Sequence, residues 1–143
     1  MNIKKLLESY KQIDDRIELG LEEIARLRSL SERVTMRLAL DESRGSGGHS
    51  DRVGNYAVKI ADLEIKIDRE IDSLVDLRER IMKITASLDD NMERLVIERR
   101  YILFESTETI AEKLGYSPRH ITRLQRSALE KLEAIYDKAE KIA

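Results

Sequence analysis

Two long stretches of this chain place apolar residues at alternating steps of three and four, a spacing that commits most of the chain to helix. In residues 2–41 the stripe is Ile3, Leu6, Tyr10, Ile13, Ile17, Gly20, Ile24, Leu27, Ser31, Val34 and Leu38, with nine of eleven apolar. In residues 52–88 it is Val53, Tyr56, Ile60, Leu63, Ile67, Glu70, Leu74, Leu77, Ile81, Ile84 and Leu88, with ten of eleven apolar. Residues 41–52, DESRGSGGHSDR, break the pattern. Within them Gly45-Ser46-Gly47-Gly48 reads as a flexible connection, and Ser50 or Asp51 suits the cap of the second helix. Two helices of similar length joined in this way are expected to fold back as a long antiparallel coiled-coil hairpin.

Composition agrees with an all-α chain. The 143 residues are 41% hydrophobic and 38% charged, with one proline, one phenylalanine and no tryptophan. Long amphipathic helices suit that balance better than a broad globular core. There is no cysteine, which excludes disulfides and thiolate metal sites. The two histidines, His49 and His120, are too few for a histidine metal site, and His49 reads as a solvated loop residue. No 18-residue apolar run or signal-peptide core is present, so a cytoplasmic protein with no membrane partner is expected. The glycine-rich connection has no preceding strand and no following Lys-Ser/Thr pair, so it is not a phosphate loop. With no nucleophile–base pair or metal constellation, the chain is expected to be neither an enzyme nor a cofactor carrier. Asp89 and Asp90 read as helix-cap residues rather than an acid–base pair.

Each long helix carries more apolar residues than one seam needs. Leu7, Leu21, Leu30, Met36 and Leu40 lie off the first seam, and Val58, Ile65, Ile71, Val75 and Met82 lie off the second. A wider stripe packing on the C-terminal helices accounts for them, and so does self-association. The second is the expectation, a homo-oligomer of two or more hairpins, because an isolated two-helix arm buries little surface.

The seam ends at Ser87-Leu88-Asp89-Asp90-Asn91, which sets the expected boundary: a hairpin for oligomerisation over 1–88 and a second domain over 89–143. Residues 91–103 read as that domain's first helix, with Leu95, Ile102 and Tyr101 packing beneath the two helices after it. Arg99 and Arg100 suit phosphate contacts, and suit a solvated or ion-paired role at least as well. Residues 104–106 are a link. From Ser106 to Leu132 the sequence reads as a helix, a short turn and a second, basic helix, a helix-turn-helix. Ile110, Ala111 and Leu114 form the inner face of the first helix, and small Ala111 permits a close crossing. Gly115 suits a left-handed bend, Tyr116 an apolar plug, Ser117 an N-cap and Pro118 the first helical position. Ile121, Leu124, Ala128, Leu129 and Leu132 are the buried stripe of the second helix.

The opposite face holds Arg119, Thr122, Arg123 and Arg126, spaced to share one stripe. From Ser117 to Leu129 there are three arginines and no acid, in a chain of net charge −2. Each third of the chain nearly balances, nine basic against nine acidic residues over 1–44, seven against eight over 45–88 and ten against eleven over 89–143, so the basic signal is local to one helix, as for a discrete DNA-reading surface. Arginine grips phosphate or forks onto guanine, and threonine touches a base edge or a phosphate. His120 and Gln125 sit beside the stripe. The candidate DNA-binding set is therefore Ser117, Arg119, His120, Thr122, Arg123, Gln125 and Arg126.

From Leu95 to Leu132 the residues LVIERRYILFESTETIAEKLGYSPRHITRLQRSALEKL resemble region 4 of sigma-70-type factors. The likeness lies in an "L..RY" helix, a short link, "IAE.LG.S", and a basic helix closing with "AL..L". In overall plan the chain resembles prophage proteins that set a helical hairpin before a sigma-like tail, similar to the RinA- and ArpU-type regulators of phage late transcription. This resemblance implies binding to double-stranded DNA near a phage promoter or packaging region in a bacterial host cell, with RNA polymerase as a further candidate partner. It carries over Arg119, Thr122, Arg123 and Arg126 as the exposed face of the recognition helix. No promoter-opening region accompanies the tail, so a complete sigma factor is not expected. A transcription regulator is the leading expectation. A small-terminase-like packaging subunit is the second, and a module binding polymerase or another protein without DNA contact is the third.

Overall fold

The computed structural model describes residues 2–40 and 47–142. Among these the chain is all-helical, with no strand. Helix α1 spans Ile3–Leu40, α2 Gly47–Thr85, α3 Asn91–Ile97, α4 Thr107–Leu114 and α5 Pro118–Ile142. A π-helical turn, Glu98–Ile102, follows α3 directly. No helix among the described residues is long and apolar enough to cross a membrane.

The connection expected at 41–52 is placed differently. Residues 41–46 lie outside the described residues, while 47–51 belong to the start of α2. No proline stands between Gly47 and Arg52, so this stretch can take the helical backbone. The helix expected over 91–103 is also altered. Its regular part ends at Ile97, and the wider π turn carries the chain to Ile102.

Two compact units form, one of Met1–Asp14 with Leu74–Ala143 and one of Asp15–Ser73. The division cuts both long helices and does not fall at residue 88. The first unit's core explains why. Ile3, Leu6, Leu7 and Tyr10 of α1 are buried with Ile81, Leu88, Ile97, Ala128, Leu132 and Tyr136 in one cluster. The start of α1 and the end of α2 are therefore part of the same core as α5.

In the second unit α1 and α2 run antiparallel. Gly20 lies against Ile67, Arg28 Nη2 donates to Glu64 Oε1 at 2.8 Å, and Val34 and Tyr56 line one pocket. The partner's number falls as the number along α1 rises. Along both helices every residue of the three-four stripe is buried or half-buried. Off the stripe, Leu19, Leu21, Met36, Leu40, Val58, Ile65 and Ile71 are exposed. The Arg28–Glu64 pair is solvent-exposed on both sides and contributes little; burial along the stripe holds this unit.

Gly20 marks a close approach. A Cβ there would stand 2.8 Å from both Cγ1 and Cδ1 of Ile67. A mid-helix glycine costs about 1 kcal/mol relative to alanine, and overpacking costs about 1–3 kcal/mol. Gly20→Ala is expected to destabilise the chain by about 1 kcal/mol. In an Ile67→Ala background the same change should stabilise it by about 1 kcal/mol, from helix propensity alone. Urea unfolding of the four chains in this cycle measures the coupling, and equal effects in both backgrounds would refute the close contact.

Candidate nucleic-acid interface

The first unit presents one face of α5 and buries the other. Asp90 starts α3: its Oδ1 accepts from the backbone N–H groups of Met92 at 2.8 Å and Glu93 at 3.2 Å. Two neighbouring residues at the end of α3 then feed two cores. Ile97 joins the cluster of α1, α2 and α5, while Val96 packs with Ile110, Ala111 and Ile121. Leu95, expected beneath the following helices, is only half-buried, because Val96 and Ile97 take the inward positions. Tyr101 and Ile102 pack against the larger cluster, which joins α5 to α1 and α2 rather than to α4.

Helix α4 begins at Ser106, whose Oγ accepts from Thr109 N at 3.2 Å. It ends at Gly115, the only described glycine at positive φ, 74°, where a side chain would strain the backbone. Ser117 Oγ accepts from His120 N at 3.2 Å, and Pro118 is the first residue of α5. The inner side of α5 is then sealed by Ile121, Ala128, Leu132 and Tyr136. Tyr116, expected as a plug, stands 41% exposed. The left-handed bend at Gly115 carries it outward, and its ring lies 4.7 Å from that of His120.

The seven candidate residues occupy different settings. Arg119, Thr122, Arg123 and Arg126 are exposed and together line a recess of about 490 Å³. Among the described residues no acid pairs with the three arginines. Thr122 Oγ1 donates to the Pro118 carbonyl at 3.0 Å, and the residue stays exposed. Ser117 is exposed but its hydroxyl caps the helix. His120 is half-buried beside Tyr116. Gln125 is half-buried too, and its Nε2 donates to the Tyr101 hydroxyl at 3.0 Å. The exposed stripe thus reduces to four residues, with Gln125 tying α5 to the π turn.

Two acids that sequence reasoning passed over hold these elements in place. Glu93, with a side chain 6% exposed, accepts from Ser127 Oγ at 2.7 Å and from Lys131 Nζ at 2.9 Å. Hydrogen bonding to Glu93 holds the Lys131 ammonium above its ordinary range. Ser127 and Lys131 stand four apart on α5, a spacing that lets one carboxylate on a crossing helix bridge both. Glu105, 12% exposed, accepts from Lys113 Nζ at 2.6 Å and from Arg99 Nη1 at 3.2 Å. Arg99 is therefore ion-paired. Arg100 Nη1 donates to the Glu105 carbonyl at 3.5 Å, and its guanidinium lies 5.8 Å from the Tyr101 ring centre. These contacts fasten the link at 103–106 to the π turn and to α4.

Comparisons with protein-family models, curated proteins and solved structures found no match to this chain.

Glu105 carries a pH dependence. The hydrogen bond from Lys113, with help from Arg99, holds its carboxyl below the ordinary range despite opposing desolvation. A carboxylate with a lowered folded-state pKa stabilises the fold above the ordinary carboxylate range. That contribution is lost as pH falls through the ordinary value and on through the folded-state one. Glu105→Gln should lower the urea midpoint at neutral pH and flatten the wild-type decline below pH about 4. Parallel wild-type and variant declines in acid would rule out this role.

Proposed function

We propose that this chain is a DNA-binding regulator of phage or prophage transcription, in which α4 and α5 act as a helix-turn-helix and α5 enters the major groove. The observation that carries the reading is the outer face of α5. Three arginines stand exposed along it with no acidic partner among the described residues, while the inner face is locked in the core. A solvated helix face ordinarily interleaves both signs of charge. A face kept basic over two turns suits a polyanion. Arg119 and Arg126 are read as phosphate grips, Arg123 as a fork onto guanine, and Thr122 as a contact to a thymine methyl or a phosphate. The likeness to sigma-70 region 4 supports the same assignment, with RNA polymerase as a further partner.

The 15–73 unit is assigned to self-association. Leu21, Met36, Leu40, Val58 and Ile65 are exposed on it, large apolar side chains that a second copy would cover. Light scattering with and without duplexes selected from a random pool tests both assignments. A dimer that gains mass on selected DNA and loses it with added salt is the expected result. A large closed ring would move the reading to a packaging subunit, and a species that ignores all DNA would move it to a protein-binding module.

Arg123→Ala is expected to weaken binding to the selected duplex by about 1–3 kcal/mol and to relax specificity at one base pair. Equal weakening on selected and random duplexes would make Arg123 a phosphate contact instead. Fluorescence anisotropy at fixed salt distinguishes the two.

A further inference from the structure

The basic recess on α5 does not end with α5. It shares Thr122 and Arg126 with a neighbouring depression of about 460 Å³, whose far wall is Ile3 and Lys4 of α1. The first turn of α1 is thereby set beside the last cation of the α5 stripe, across more than a hundred residues of sequence.

That turn is firmly placed. Ile3 is buried in the larger core, and its backbone N–H donates to Glu133 Oε2 at 3.3 Å. Asn2 Oδ1 accepts from Lys5 N at 2.8 Å and caps the helix start. Lys4 rides on this anchored backbone, is exposed, and has no partner among the described residues. Beyond Arg126, α5 carries both signs of charge, and the charged residues that it gives to this depression are acidic. Glu130 and Glu133 line the same depression, and Glu133 is already engaged by Ile3. Past Arg126, Lys4 is the cation that lines this depression.

The dimensions agree with a flanking role. From Arg119 to Arg126 the stripe runs about 10 Å at 1.5 Å per residue. The major groove is about 12 Å wide. A helix seated there would reach the bounding sugar–phosphate strand near the end of the stripe, beside the depression that Arg126 and Lys4 both line.

We propose that Lys4 is a backbone phosphate contact, by which the first turn of α1 grips the DNA strand bordering the groove that α5 enters. The proposal rests on the DNA-binding reading above. A lysine placed in this way strengthens binding to every sequence and selects none.

The test is the salt dependence of affinity for the full-length chain, read by anisotropy on a selected and a random duplex. Lys4→Ala should reduce the slope of log K against log salt by about 0.9, the release of one condensed counterion. It should weaken both duplexes by the same factor, leaving their ratio unchanged. Lys4→Gln, which keeps much of the aliphatic stem, should behave alike and so separates lost charge from lost packing. Lys138→Ala removes an exposed charge about 18 Å further along α5 and should leave the slope as in wild type. A wild-type slope for Lys4→Ala would overturn the Lys4 contact, and if Arg123→Ala still weakened binding the α5 reading would stand. An equal slope change for Lys138→Ala would also overturn it, as a mere effect of net charge. Wild-type protein that bound neither duplex would overturn both readings together.

Discussion

The first unit depends on a single helix being used on two sides. Along α5, Ile121, Ala128, Leu132 and Tyr136 are withdrawn from water on one face. Burying such side chains is worth about 1.5–3 kcal/mol each for the larger aliphatic ones. The helix cannot roll about its axis without exposing them. Rotation is further opposed by Glu93, which holds Ser127 and Lys131 from α3, and by Gln125, which holds Tyr101. The outer residues inherit this fixity. The positions of Arg119, Arg123 and Arg126 are set less by their own contacts than by what their helix buries behind them.

The second unit rests on a simpler device. Its stripe positions are covered on both helices, and at Gly20 the absent side chain makes room for Ile67. Nothing comparable to the acid-bridged clamps of the first unit is needed where burial is continuous along two facing seams.

What could be read in the chain beforehand was whatever is local or periodic. The three-four stripe forecast residues of α1 and α2 that are covered, while Leu7, off the stripe, is buried as deeply by the core around α5. The Gly115, Ser117 and Pro118 series forecast a left-handed bend, a cap and a helix start, each dictated by that residue's own backbone chemistry. Tyr116 was misread because apolar character says nothing about direction, which here follows from the bend before it. The π turn at Glu98–Ile102 was missed because it keeps helical composition while widening the hydrogen-bond ring. The start of α2 at Gly47 was missed because glycine raises the cost of a helix without forbidding it. Lys4 had no local signal at all. It lies on a helix with balanced charge, and only the packing of Ile3 against α5 brings it beside Arg126.

The bare arginine face has an opposite effect in the free chain. Arg119, Arg123 and Arg126 repel one another at spacings of four and three along the helix, a penalty of a few tenths of a kcal/mol per pair. Added electrolyte screens that repulsion and so favours the folded α5. The same electrolyte disfavours any polyanion resting there, because counterions released into a saltier solution gain less entropy. Conditions that best preserve this face are therefore those under which a polyanion would gain least from resting on it, and dilute buffer, where the face is most stressed, is where a polyanion would gain most.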